Sequence, residues 1–312
     1  WRKLAPNRCR YGLMLREDGM VFDDGVTACL AEDHFHMTTT TGGAARVLGW
    51  LEEYLQTEWT DLQVYCTTVT EQWAVASICG PGSDRLAGAL CDGLDADPDT
   101  FPFMSFRDAR VEGLPVRVYR ISFTGALAYE INIASSYGQW LWERIFAQAR
   151  TLGLEATPYG TEAMHVLRAE KGFIIVGQDT DGTMTPGDLR LDAMVKKDAD
   201  FIGRRSLVRS DTARTDRQQL VGLLTEDPTI VLMEGAHVIE TATEPRKKPA
   251  PTLGHVTSSY MSPNLGRSIA LAVVKAGGAR IGERVFVARR DGDPIPVRVS
   301  EADFLAVLGR RP

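Results

Sequence analysis

Between Met20 and Leu30 the even positions read Met20, Phe22, Asp24, Val26, Ala28 and Leu30, so a single acid interrupts an otherwise apolar register. Side chains two apart share one face of an extended chain, which predicts that Asp24 points inward. Asp23 falls on the other register with Gly25 and Thr27 and is expected to be solvated. A carboxylate facing a core must be paired, hydrogen-bonded or kept neutral, and such groups concentrate at functional sites. Periodicity alone leaves open whether Asp24 is a catalytic acid or a structural acid that caps backbone amides.

Other reactive side chains exclude more than they assign. His34 and His36 share one face of a predicted strand, but a metal site needs further ligands than this pair, and no metal is expected. The cysteines Cys9, Cys29, Cys66, Cys79 and Cys91 are odd in number and form no C-x-x-C pair. Scattered in this way they read as small core residues of a reducing, cytoplasmic protein. There is no G-x-G-x-x-G after a strand, no P-loop and no G-x-S-x-G elbow, so neither a dinucleotide site nor a serine hydrolase is supported. The net charge of -6 argues against a general nucleic-acid binder and allows a local basic site for an anionic ligand. No apolar stretch approaches the roughly 18 residues of a membrane span, and no signal-peptide pattern opens the chain. The chain starts at Trp1 rather than Met, and reads as a piece of a longer polypeptide or as a processed one.

The elements that must position these residues follow a mixed rhythm. A length of 312 residues predicts two or three compact domains. Extended runs are expected over 11–15 and 21–30 around a turn at Glu17-Asp18-Gly19, then over 34–41. Ala44, Val47, Leu48, Leu51 and Leu55 recur at helical spacing, with Thr41 as a cap. Strands are expected over 62–69, 74–79, 116–121 and 129–133. Helices are expected after Gly80-Pro81-Gly82-Ser83, over 140–152 and over 160–171, the last stopped by Gly172. An Arg-rich connector over 201–219 precedes short strand-like runs at 220–224, 236–239, 254–258, 269–274 and 284–288, a β-rich unit. The run from Glu244 to Pro251 reads as a solvated loop, and no internal repeat is visible.

Four segments carry a resemblance together that none carries alone: Tyr11-Gly12-Leu13-Met14 through Asp23-Asp24; Ser122-Phe123-Thr124-Gly125-Ala126-Leu127-Ala128-Tyr129-Glu130; Leu167-Arg168-Ala169-Glu170-Lys171-Gly172; and Gly254-His255-Val256-Thr257-Ser258-Ser259. In order and spacing they resemble the folate-dependent aminomethyltransferase family of the glycine cleavage T-protein, from the first residues to about Val274. Within it, the strings Arg16 to Gly25, Pro158 to Asp179 and Gly254 to Ala270 are most similar to the folate-binding half of sarcosine oxidase alpha subunits.

The resemblance implies an α+β fold, a three-lobed cloverleaf around a central hole for tetrahydrofolate. Its expected parts are a folate-binding region over 1–200 with two interleaved lobes, a connector over 201–219 and a β-rich, barrel-like lobe over 220–312. Asp24 takes the place of the family's catalytic aspartate, which stabilises a positively charged methylene-bearing intermediate. Tyr11, Val26, Thr38, Glu130 and Arg168 fall at implied folate-binding positions. A carboxylate such as Glu130 matches the pterin edge because adjacent amino and N–H donors can share it. By alternation with Tyr129, Ile131 and Ile133, Glu130 sits on the less apolar face, a pattern that fits both a solvated and a cavity-lining side chain. Arg168 and Glu170 also read as a structural pair on one helix.

Three departures from the family stand out: Ala126 where an acid is usual, Met164 where the glycine-cleavage branch has arginine, and no segment before Trp1 to complete the first lobe. The function implied is acceptance by tetrahydrofolate of the one-carbon unit from sarcosine oxidation, forming 5,10-methylene-tetrahydrofolate. Flavin and NAD would be bound by other parts of a hetero-oligomer, including a flavin-bearing oxidase subunit. Two further readings compete: a glycine-cleavage aminomethyltransferase working with a lipoyl carrier, and a non-catalytic folate-binding or interaction module. Phe173 stands where relatives of the latter kind carry cysteine.

Overall fold

The computed structural model describes residues 3–195, 198–242 and 251–309. They fall into two compact units, one formed by Trp1–Gly12 with Asp23–Pro158, the other by Leu13–Phe22 with Tyr159–Pro312. The expected α+β composition and C-terminal barrel are what the chain adopts.

Strands β1 (Cys9–Leu15), β2 (Val21–Ala31) and β3 (His34–Met37) form a sheet in that order, which belongs to the first unit apart from Leu13–Leu15 and Val21–Phe22. Helix α1 (Ala44–Thr57) follows, burying Val47. Its N-cap position is Gly43, without a side-chain cap, so Thr41 does not play the capping role expected of it. After β4 (Trp73–Cys79) and α2 (Ser83–Leu90), the strands β5 (Ser105–Val111), β6 (Leu114–Arg120) and β7 (Ala128–Ala134) complete an antiparallel sheet ordered β4-β7-β6-β5. Alternation sorts this sheet into two faces. Ile78, Val116, Val118, Ile131 and Ile133 pack with Leu86 and Leu90 of α2 and with Leu141, Ile145 and Ala149 of α3 (Gly138–Thr151). On the opposite face Phe106, Tyr119, Glu130 and Ser77 stand in one cross-strand row. Phe106 and Tyr119 there pack with Cys9 and Ala28, joined by Val26 and Leu30.

The strand expected over 62–69 does not form. The segment is irregular, and Leu62, Val64 and Tyr65 are exposed. Its apolar alternation finds no pairing strand among the described residues, and alternation without a ladder leaves backbone donors and acceptors to water.

The second unit contains α4 (Thr161–Glu170) and a closed barrel. Its strands are β8 (Gln218–Thr225), β9 (His237–Ile239), β10 (Gly254–Ser262), β11 (Arg267–Lys275), β12 (Arg284–Val287) and β13 (Ile295–Ser300), closed in the order β10-β11-β8-β13-β12-β9. Closure pairs every strand edge. Strand β11 is buried on both sides: Ala270, Ala272 and Val274 join the barrel interior, whereas Ile269, Leu271 and Val273 pack with Ala169 and Phe304. Phe304 opens the short helix α5 (Phe304–Val307). Seven of the eight residues of the loop expected over Glu244–Pro251 lie outside the described residues. Among the described residues, no helix is long and apolar enough to cross a membrane.

Candidate functional site

The β1–β2 hairpin brings two of the expected site residues together. The Tyr11 hydroxyl donates to Asp24 Oδ2 at 2.6 Å, and both side chains are half-buried. Burial lifts the Asp24 carboxyl above the usual carboxylate range, the Tyr11 hydrogen bond opposes that lift, and the neighbouring Asp23 charge adds to it. Burial and the Asp24 charge together push the Tyr11 phenol up, so it stays a donor. Asp24 thus has one defined protein donor and a carboxyl poised to hold or release a proton.

Asp23 is not solvated as its register implied. It is fully buried; its Oδ1 accepts from the Asp24 amide at 2.8 Å and the Thr40 amide at 3.0 Å, and its Oδ2 from the Thr40 hydroxyl at 3.0 Å. Arg46 adds an ion pair at 3.8 Å. The segment after β3 covers this side of β2, and its approach depends on missing side chains. A Cβ on Gly43 would lie 1.8 Å from Asp23 Oδ2, and one on Gly25 would lie 1.8 Å from the Thr38 carbonyl oxygen. Of the acidic pair, Asp23 is therefore the capping acid, which leaves Asp24 for other work.

Val26 and Thr38 are also brought together. The Val26 amide donates to Thr38 Oγ1 at 3.0 Å, and the Thr38 amide donates to the Val26 carbonyl at 2.9 Å. This pins the residue two beyond Asp24 and keeps the even register of β2 facing the Phe106–Tyr119 cluster.

Glu130 lies on the facing sheet, between Tyr119 of β6 and Ser77 of β4. Tyr119 is buried and Ser77 exposed, so the row opens toward β4. No hydrogen bond reaches the Glu130 carboxyl among the described residues, and burial lifts its pKa to about 7. A half-buried acid with no protein partner is destabilised when ionised, and a ligand with adjacent N–H donors would relieve that cost. Asp24 and Glu130 thus stand on two faces that pack together through Val26, Ala28, Phe106 and Tyr119.

Arg168 belongs to the second unit, where it is fully buried. Its Nη1 donates to Asp179 at 2.5 Å and to the Phe173 carbonyl at 2.9 Å, and its Nη2 to Ser258 at 2.7 Å. The helical pairing of Arg168 with Glu170 does not occur: Glu170 accepts instead from Ser262 at 2.6 Å and Asn264 at 2.9 Å. Asp179 lies beyond the helix, and Ser258, Ser262 and Asn264 lie 90 or more residues along the chain, outside what helical spacing can show.

His36 and His34 do not join a third ligand. Among the described residues no group of histidine, cysteine and acidic side chains could hold a metal, and all five cysteines are free. His36 instead meets Tyr119, a contact the sequence reading missed. The available signal was the alternation that places His36 opposite Ala28 on the inner face.

Residues 1–199 match the GCVT N-terminal domain, and residues 218–305 match the glycine cleavage T-protein C-terminal barrel domain. A sarcosine oxidase subunit alpha from Corynebacterium sp. (strain P-1) is 51% identical over 312 residues, 100% of this chain and 32% of that protein. The subunit of the same name from Rhizobium meliloti (strain 1021) is 38% identical, across 97% of this chain and 30% of its own length. The chain thus spans about a third of the length of these relatives. An aminomethyltransferase from Herpetosiphon aurantiacus is 29% identical across 97% of this chain and 78% of its own. The crystal structure of glycine cleavage system aminomethyltransferase T from Bartonella henselae superposes with a TM-score of 0.78 at 23% identity. It covers 97% of this chain and 77% of that one, which shows a shared fold.

Proposed function

From the premise that the chain belongs to the GCVT family of glycine cleavage T-protein domains, we propose that it binds tetrahydrofolate and passes to it the one-carbon unit released by sarcosine oxidation. The product on this reading is 5,10-methylene-tetrahydrofolate. The observation that carries it is that Asp24, hydrogen-bonded by Tyr11, stands on a face that packs against the sheet of Glu130, whose carboxyl has no hydrogen-bond partner among the described residues. The reduced folate supplies the nucleophilic amines, and the chain supplies the two carboxyls. Glu130 accepts from adjacent donors of the pterin edge and orients it. Asp24 stabilises positive charge that develops on the one-carbon carrier and holds a proton near the reacting nitrogens. Tyr11 keeps Asp24 turned toward that position.

The sarcosine donor is inferred from the relatives named sarcosine oxidase subunit alpha, which are 51% and 38% identical to this chain. On this reading the oxidation takes place on a flavin-bearing subunit of a cytoplasmic hetero-oligomer, with flavin and NAD held outside this chain.

Anaerobic calorimetric titration with (6S)-tetrahydrofolate tests the reading. The expected result is saturable 1:1 binding that Glu130→Ala weakens at least tenfold, the size of losing a hydrogen bond to a charged group (about 1.5–3 kcal/mol). A folded chain that takes up no tetrahydrofolate, or a Glu130→Ala variant that binds like the parent, would overturn it.

A further inference from the structure

His36 of β3 stands opposite Ala28 of β2 and so shares the face that carries Asp24, Val26 and Ala28. Its Nδ1 lies 2.9 Å from the Tyr119 hydroxyl, and Tyr119 stands directly opposite Glu130 in the β6–β7 pairing. This contact is a side-chain tie between the sheet that carries Asp24 and the sheet that carries Glu130, beside the backbone bonds from the Cys9 amide to the Met104 carbonyl at 2.8 Å and from the Phe106 amide to the Asn7 carbonyl at 3.2 Å. Its polarity follows from the neighbours. The Arg117 guanidinium lies beside the phenol and draws its pKa down against burial. A guanidinium accepts nothing, so Arg117 leaves the phenol O–H free for His36 Nδ1, and the neutral tautomer protonated at Nε2 is the one that accepts it. Burial, with the Arg117 and His34 charges, holds the imidazole below its usual range, in keeping with that neutral form. The imidazole lies 6.1 Å from the Tyr119 ring and 6.4 Å from that of Trp73, so its plane is bracketed as well.

We propose that His36 is a positioning residue for the tetrahydrofolate site: by holding Tyr119 it sets the spacing and orientation of the two carboxylate-bearing faces. This rests on the folate reading above. His36 acts through Tyr119 on the wall beside Glu130 and takes no part in the transfer itself. Cross-strand neighbours sit about 5 Å apart, so a tilt of the Tyr119 ring moves directly against the Glu130 side chain.

The test compares (6S)-tetrahydrofolate affinity and urea midpoint for the parent chain, His36→Phe, His36→Asn, Tyr119→Phe and the double variant His36→Phe/Tyr119→Phe. Phe keeps a ring and removes the acceptor; Asn places Oδ1 near the position of Nδ1. The expected result is a roughly three- to tenfold weaker affinity in each Phe variant, the size of one lost hydrogen bond. The double variant should be no weaker than the worse single one, because both remove the same bond. His36→Asn should recover most of the loss. Parent-like affinity in His36→Phe, additive losses, an Asn variant as weak as Phe, or losses that merely follow the urea midpoint would each overturn the proposal. A parent chain that binds no tetrahydrofolate overturns the folate reading and this proposal with it. A parent that binds, beside a His36→Phe that binds equally well, overturns this proposal alone.

Discussion

Tyr11 and Asp24 are joined at 2.6 Å across the β1–β2 hairpin, and the bond works against the burial that lifts the Asp24 carboxyl. The hydroxyl donates more strongly to the ionised acid than to the neutral one, so it favours the carboxylate. Tyr11→Phe keeps the ring and removes that donor. The Asp24 pKa should then rise further, moving the acidic limb of the pH profile of one-carbon transfer upward. Transfer well above that limb should stay within a few fold of the parent. An unmoved limb would mean that Asp24 is not the group titrating in the profile.

The adjacent acids should separate cleanly on substitution. Asp24→Asn is nearly isosteric and can still accept from Tyr11, so its urea midpoint should stay close to that of the parent. Loss of the negative charge should lower transfer by about 10²–10⁴-fold, the usual range for a removed acid–base group. Asp23→Ala should instead act on stability. It strips the acceptors of the Asp24 amide, the Thr40 amide and the Thr40 hydroxyl in a fully buried place, at a cost of about 2–4 kcal/mol. Transfer at the parent rate by Asp24→Asn would remove Asp24 from the mechanism.

Glu130 links affinity to pH in a stated direction. Its pKa is raised from 4.5 to about 7, so the folded chain takes up its proton more readily than the unfolded chain between those values. Stability is therefore lost as pH rises through that window, when the half-buried carboxyl ionises without a partner. Glu130→Gln should raise the urea midpoint at pH 8 and leave it unchanged near pH 4. Tetrahydrofolate donors need the ionised form, so parent affinity should be flat above about pH 8 and weaken up to tenfold per unit below 7. A flat profile between pH 5 and 8 would show that Glu130 does not meet the ligand's donors.

How far the sequence displayed these relationships depended on the range of the contacts. Asp24 was visible because strand periodicity is local: an acid in an apolar even register must face the core. Asp23 was not, because its burial comes from the segment after β3, whose approach rests on the missing side chains of Gly25 and Gly43. Glu130 could be assigned only through family resemblance, since alternation looks the same on a solvated face and on a site-lining one. The strands of the C-terminal lobe were legible as short apolar runs and their barrel-like form only through the family resemblance, whereas the apolar alternation over 62–69 misled, as a strand exists only where another pairs with it. The bond between His36 and Tyr119 spans 83 residues, so local alternation could place His36 on the inner face but could not name its partner.

Arg168 gives the sharpest test of a structural role against a ligand role. Its partner Asp179 is fully buried and also accepts from the Ile175 amide at 2.9 Å, Thr257 at 2.6 Å and Ser258 at 2.8 Å. The pair therefore joins the segment after α4 to strand β10. Arg168→Ala leaves that carboxylate buried with no cation, and breaking one side of a buried pair costs about 3–5 kcal/mol. The double variant Arg168→Met/Asp179→Asn removes both charges and keeps an acceptor for the Ile175 amide, so it should recover much of the lost midpoint in urea. If the double variant also regains parent affinity for tetrahydrofolate, the guanidinium serves the second unit and not the ligand. A stable double variant that fails to bind would instead show that the Arg168–Asp179 pair does more than stabilise the second unit.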